Sequence, residues 1–369
     1  MGRSVPPDWV GRLRQVEQDR RSGASVLLGR AIEAGRLFLA ATRPLSSDRL
    51  RPALVRFTRL LTACQPSLAP LLNLANTLWL GAGDRAENLR WIRLHDAMAA
   101  YADGVDRRLA NTVRHGDRLV KAGSLVLTYS HSTAVRMTLL RVLAAGRRFE
   151  VVCSESRPMG EGVSLARRLA FAGIPVHLTT DASLPGWMEE ADLFLVGADA
   201  VVGTGVVNKT GTEPLAQAAR RARVPAYVLA DSSKWLPPGL ARFWRMREEA
   251  PGEIAPLRHP NVRVHNHYFD RSPLRLFSGV VWEEGIAAPS EVRQRLARLR
   301  TATGLIVLLE RQATGRRPCG GSHATVLARA TSAYPQRRCR GAARAGSPAF
   351  ARSRRGWMRR WAGRAGRFA

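Results

Sequence analysis

Residues 193–212 read Leu193-Phe194-Leu195-Val196-Gly197-Ala198-Asp199-Ala200-Val201-Val202-Gly203-Thr204-Gly205-Val206-Val207-Asn208-Lys209-Thr210-Gly211-Thr212, and this stretch decides the fold. It opens on an apolar run with the length of a buried strand, and the segment that follows it, Glu213 to Arg223, has the apolar spacing of an amphipathic helix. Between them Gly197 through Thr212 reads as a glycine-bearing loop with one lysine. A strand that passes to a helix through such a loop is the repeating unit of a parallel α/β sheet.

The same alternation extends on both sides. Leu125-Val126-Leu127, Phe149-Glu150-Val151-Val152, Pro175-Val176-His177-Leu178 and Ala226-Tyr227-Val228-Leu229 are strand-length apolar runs. Thr133 to Ala145 and Val163 to Ala172 are helical segments set between them. From about residue 8 to 118 the period is helical throughout, broken at Arg43-Pro44-Leu45-Ser46, where Pro44 stops a helix and Ser46 or Ser47 caps the next, and near Gly81-Ala82-Gly83-Asp84. The chain is therefore expected to be α/β: an N-terminal all-helical domain over residues 8–120, then a Rossmann-like domain with a mainly parallel sheet over residues 121–310. A basic C-terminal tail, residues 311–369, is expected to be disordered.

Composition sets the function classes. The 369 residues carry 58 Lys+Arg against 29 Asp+Glu, a net charge of +29, with 45% hydrophobic positions, enough for a large packed core. The basic residues are arginines except for Lys121, Lys209 and Lys234. The tail holds 15 arginines and no acidic residue, so it supplies over half of the net charge. Two readings of it stand: an arm for nucleic acid with Trp357 and Trp361 as stacking groups, or an extension that binds polyanions non-specifically. Cys64, Cys153, Cys319 and Cys339 are too widely spaced for a C-x-x-C metal or redox site, so neither metal nor cofactor is expected. No apolar run reaches the roughly 18 residues that cross a bilayer, which leaves a cytoplasmic protein as the expectation.

Ligands of an open parallel sheet bind beyond the carboxyl ends of its strands, so the loops that follow the strands carry the chemistry. In the loop quoted first, the glycines allow close backbone approach, Lys209 brings a compact charge, and Thr210 and Thr212 stand where a helix start aims N–H groups at an anion. That combination is a phosphate cradle, although it is neither a Walker A loop nor a G-x-G-x-x-G fingerprint. The competing reading is a glycine-rich turn with an exposed lysine. Arg157, in Glu155-Ser156-Arg157-Pro158, falls in the same row of loops and is a candidate bidentate clamp for phosphate. Two of the three lysines, 209 and 234, occupy these loops.

Taken in order, Thr128-Tyr129-Ser130-His131-Ser132, Glu155-Ser156-Arg157-Pro158, Gly197-Ala198-Asp199 with Asn208-Lys209-Thr210-Gly211-Thr212, and Asp231-Ser232-Ser233-Lys234-Trp235 resemble the signature loops of one superfamily. It comprises the translation initiation factor 2B alpha, beta and delta subunits and two sugar-phosphate isomerases, of methylthioribose 1-phosphate and of ribose 1,5-bisphosphate. Phe269-Asp270-Arg271-Ser272-Pro273 and Trp282-Glu283-Glu284-Gly285-Ile286 are similar to its closing segment, and Arg21-Ser22-Gly23-Ala24 and Gln65-Pro66-Ser67 to its N-terminal loops. The resemblance implies a helical domain joined to a Rossmann-like one, and a homo-oligomer. It implies that Asp199 handles protons, and it puts Ser130 where the isomerases have a cysteine. A serine hydroxyl is a far weaker acid than a thiol and needs an adjacent base. His131 follows directly, but in an extended segment it would face away from Ser130.

The expected ligand is thus a phosphorylated sugar or nucleotide, with Asp199 and Ser130 against the sugar and Arg157, Asn208, Lys209, Gly23 and Ala24 against phosphate. The first reading is a regulatory or weakly catalytic binding protein, and the alternative is an aldose–ketose isomerase of a pentose 1-phosphate. A polyanion-binding protein driven by the tail is the reading from another class.

Overall fold

Five helices form where the apolar residues recur at three- and four-residue steps: α1 (Asp8–Gln18), α2 (Ala24–Thr42), α3 (Ser47–Cys64), α4 (Ala69–Gly81) and α5 (Trp91–Gly116). The computed structural model describes residues 8–19, 22–83 and 89–314. Helix α2 stops before Pro44, and Ser46 takes the N-cap position of α3, although its hydroxyl makes no capping bond. Trp9, Phe38 and Phe57 meet at the centre of the helical layer, with the two phenylalanine rings stacked at 4.6 Å. Such aromatic packing anchors a helical core well beyond its area term.

The sheet half consists of β1 (Leu125–Thr128), α6 (Thr133–Ala144), β2 (Glu150–Ser154), α7 (Glu161–Phe171), β3 (Val176–Thr179), β4 (Leu193–Gly197), β5 (Ala200–Val202), β6 (Gly205–Lys209), α8 (Thr212–Ala222), β7 (Ala226–Leu229), α9 (Pro238–Ala241), β8 (Phe269–Ser272), β9 (Gly279–Trp282), β10 (Gly285–Ala287), α10 (Pro289–Arg298) and α11 (Thr303–Thr314). Seven strands line up as β10-β9-β7-β4-β1-β2-β3, and every pair is parallel except β10 against β9. Val126 stands opposite Val151 on one side and Leu193 on the other, so the middle strands are apolar on both faces, as a helix-covered parallel sheet requires. From β1 the chain runs outward through β2 and β3, then returns to lay β4 on the other side of β1. The topological switch point is therefore the gap between β1 and β4, where an α/β sheet opens a crevice.

One expectation needs correction. The stretch Gly197 through Thr212 is not a loop: β5 and β6 form an antiparallel hairpin, and β8 joins it to complete a second, three-stranded sheet. The valine pairs on either side of Gly203-Thr204 explain it, because alternate residues bury on opposite faces. Ala200, Val202 and Val207 join the core of the N-terminal helices, while Val201 and Val206 join the core beneath the main sheet. The hairpin is thus a wedge between the two halves.

Helix α11 folds back so that Leu305, Leu308 and Leu309 enter the same core as Trp9 and Phe38. It continues to Thr314, four residues into the segment assigned to the tail. The expected disorder of the remaining tail, and its Trp357 and Trp361, lie outside the described residues. Among the described residues no helix is long and apolar enough to cross a membrane. Cys64 and Cys153 are free and buried, and burial pushes both thiols up to about 12, so they behave as small core residues.

Candidate functional site

A cavity of about 110 Å³ lies at the switch point, and Gly23, Ala24, Ser130, Asp199, Asn208 and Lys209 all line it. The helical layer closes it from the side facing the strand ends, through the start of α2. Arg157 is not among the lining residues. Asp181, from the loop after β3, accepts the backbone N–H groups of Ser156 at 2.8 Å and Arg157 at 2.7 Å. The guanidinium points outward to the carbonyl of Ile254 at 3.1 Å. The expected phosphate clamp at Arg157 is therefore not brought together with the other residues.

A larger cavity of about 1020 Å³ runs over α1 and α3, with Arg14, Arg51, Arg56 and Arg59 among its walls. It is an open groove on helix surfaces and receives no strand end. The smaller cavity is the one at which loops from several elements converge.

The end of β1 is shaped by two non-glycine residues in left-handed conformation, Ser130 with φ 64° and Ser156 with φ 60°. Ser130 N–H donates to Ser156 Oγ at 3.0 Å, which locks the two turns together. Backbone held in this sparsely populated region clusters at functional sites. The turn also breaks the alternation of the strand, so Ser130 and His131 both line the cavity. This corrects the expectation that they face apart, which rested on an extended backbone. Close approach of the β4 end is possible only because residue 197 is glycine, since a Cβ there would sit 2.4 Å from Ser132 Oγ.

Asp199 follows β4 directly and its carboxyl is pushed up to about 6. Burial is the main cause, while the charges of Lys234 and Lys209 pull it down and Glu161 adds to the rise. Both lysines are buried, at 3% exposure for Lys209 and 6% for Lys234. The exposed-lysine reading of the loop is thereby excluded. Lys209 Nζ donates to Glu161 Oε1 at 2.9 Å and lies 4.8 Å from the Tyr268 ring centre.

Two buried atoms in the cavity wall have no protein partner: Glu161 Oε2 and His131 Nε2. Burial, then Arg136 and Arg168, lower the basicity of His131, so its ring is neutral at pH 7. Unsatisfied buried polar atoms are uncommon in a folded chain.

The expected free helix start at Thr210–Thr212 is already filled. Asp270 Oδ2, from β8, accepts Gly211 N–H at 2.7 Å and Glu213 N–H at 3.1 Å. Burial pushes Asp270 up to about 6, against the pull of these two bonds. The Asn208 amide donates to Thr212 Oγ1 at 3.0 Å, so it braces the same turn. Helix α2 differs: its N-cap is Gly23, and among the described residues no side-chain cap hydrogen bond is made there. A helix of 19 residues thus presents an uncapped N-terminus to the cavity.

Glu161, Tyr268 and Asp270 were missed as functional residues in the sequence. Glu161 had a weak signal, an acid opening a helix just after a strand loop. Tyr268 and Asp270 adjoin or lie within the segment Phe269–Pro273, which pairs with β6 only through the hairpin, and nothing in the sequence announces that pairing.

The crossover topology brings the left-handed turn at Ser130 and the raised carboxyl of Asp199 to the strand switch point of a Rossmann-like sheet. Residues 13–289 match the Initiation factor 2 subunit family (IF-2B), and the chain belongs to that family. The crystal structure of the translation initiation factor eIF-2B of Pyrococcus horikoshii is 30% identical, covers 77% of this chain and 98% of its own, and superposes with a TM-score of 0.66. The ribose 1,5-bisphosphate isomerase of Archaeoglobus fulgidus is 31% identical over 61% of this chain and 73% of its own. The methylthioribose-1-phosphate isomerase of Pelotomaculum thermopropionicum is 32% identical over 70% and 71%. The chain thus belongs to the superfamily that holds the IF-2B-like proteins and the methylthioribose-1-phosphate and ribose 1,5-bisphosphate isomerases.

Proposed function

We propose that the cavity binds a pentose 1-phosphate and that the chain converts it from aldose to ketose. The observation that supports this most is Asp199. A carboxyl near 6 is mostly ionised at pH 7 yet takes up a proton readily, which suits a group that acts as both base and acid in one turnover. In the net reaction hydrogen leaves C2 and arrives at C1, while the C2 hydroxyl proton ends on the released ring oxygen and C2 becomes the ketone. Asp199 is the carrier for the oxygen-bound proton. Ser130 and the neutral His131, whose Nε2 is unpartnered, line the same cavity and orient the carbon chain. The phosphate lies against Gly23 and Ala24 at the uncapped start of α2, within the field of Lys209.

One residue favours a second reading, in which the ligand is held without turnover and regulates the protein. That residue is Ser130, which stands where the resembling isomerases have a more acidic thiol. Incubation with methylthioribose 1-phosphate or ribose 1,5-bisphosphate separates the two. Ketose formation, lost in Asp199→Asn, supports the isomerase. No ketose at high protein concentration, with a thermal shift that reaches the ~2.7 kcal/mol expected at 100 times the Kd, supports the regulatory reading. Neither product nor shift with any pentose or nucleoside phosphate removes both. A cytoplasmic homo-oligomer belongs to this proposal and is checked by fractionation and light scattering.

A further inference from the structure

Between α9 and β8 the chain runs from Arg242 to Tyr268 with only a single short turn at Pro251–Glu253. A connection of this length without secondary structure of its own is uncommon in a compact domain and is often functional. Its two arms meet as an antiparallel ribbon: Glu248 bridges His267, and Glu249 N–H donates to the carbonyl of Asn266 at 2.8 Å. Alternation along these arms sorts the side chains onto two faces. Asn266 and Tyr268 turn inward, where both donate to Glu253 Oε2, at 2.7 Å and 2.5 Å, and Glu249 and Tyr268 line the cavity.

Glu248, His265 and His267 take the outer face, and all three are exposed. Each offers one ligand atom, and these atoms lie within 4.8 Å of one another. His265 Nδ1 and Glu248 Oε1 are already 3.0 Å apart. In a tetrahedral zinc site with bonds of about 2.0–2.1 Å, neighbouring ligand atoms stand roughly 3.3 Å apart, a closure within reach of exposed rotamers. Two imidazoles and one carboxylate suit zinc and its transition-metal neighbours, whereas magnesium and calcium take oxygen donors.

We propose that Glu248, His265 and His267 form a site for a divalent transition metal of the zinc type, which clamps the two arms of this connection together. The ion fixes the register of the ribbon whose inner face carries Glu249 and Tyr268, so it steadies the cavity wall that stands over Lys209. It stands apart from the Asp199 chemistry and holds whether or not the chain is an isomerase.

The test is a titration of the chelator-treated full chain with zinc chloride, followed by calorimetry and by metal analysis after dialysis. The expected result is one saturable site, unaffected by millimolar magnesium, whose affinity falls at least tenfold in His265→Ala and in His267→Ala. His259→Ala, an exposed histidine outside the trio, should bind as the parent does. Because both rings are exposed, the His265→Ala and His267→Ala variants should melt with the metal-free parent, and zinc should raise the melting temperature of the parent and of His259→Ala but not of these two. Zinc binding of equal affinity in the His265→Ala, His267→Ala double variant would overturn the proposal, as would no saturable binding by the parent.

Discussion

Helices α2 and α8 both start beside the cavity, and they treat their first N–H groups in opposite ways. At α8 the carboxylate of Asp270 takes the N–H groups of Gly211 and Glu213, so that end is closed from within. At α2 the N-cap is Gly23, and no side-chain cap hydrogen bond is made there among the described residues. Under the proposed function the lysine-bearing turn, which looks like the anion site in the sequence, would supply charge and the start of α2 the amides. The proposed phosphate site would thus be divided between parts of the chain nearly two hundred residues apart.

The largest effect is expected at Asp199, the carboxyl proposed to carry the proton. Replacing Asp199 with Asn should lower kcat by about 10²–10⁴-fold on an isomerisable pentose phosphate. The same change should raise stability at pH 7. Because the folded protein holds this carboxyl at about 6 rather than 3.8, its protonated form is favoured by folding. That contribution is complete below about pH 4 and is lost as pH rises through 6, on the order of 2 kcal/mol. Urea melts of the two proteins should therefore diverge between pH 4 and 7 and coincide at pH 4. Parallel curves at every pH would remove the shift.

Lys209→Met should cost about 3 kcal/mol in urea denaturation, since it leaves Glu161 without its buried cation. It should also weaken every pentose phosphate, and unchanged affinities would take Lys209 out of the phosphate site. Asp270→Ala should lower stability by about 2 kcal/mol through the lost cap while leaving ligand affinity within a few-fold. Gly23→Asp installs at α2 the cap that α8 already has. It should stabilise the helix by about 0.5 kcal/mol and weaken phosphate-ester binding at least tenfold, by charge and by occupying the amides. If Asp270→Ala weakens the ligand as much as Gly23→Asp does, the division between the two helix ends is wrong.

The strands β1, β2, β3, β4 and β7 were legible because each is an apolar run bounded by turn residues, a local signal. The hairpin was not, because Gly203 and Gly205 make the stretch read as loop and its valines are justified only by two cores that meet there. Lys209 and Lys234 stood out in the sequence because the chain otherwise uses arginine, and both are buried around Asp199. Arg157 shows the reverse failure: its loop is in the right row, but Asp181 fixes the turn so that the side chain leaves the cavity. Glu161 and Asp270 act through partners 48 and 59 residues away, at Lys209 and Gly211, distances at which no periodicity carries information.

Helix α11 carries a consequence for how the molecule is made. Ala302, Leu305, Leu308 and Leu309 share a core with residues from Trp9 onward, so the helical layer waits during synthesis for residues almost three hundred positions later. Loop closure over such a span is slow. During synthesis the helical layer emerges with an uncovered apolar seam, and a nascent chain stalled before residue 302 should be the species that recruits chaperones.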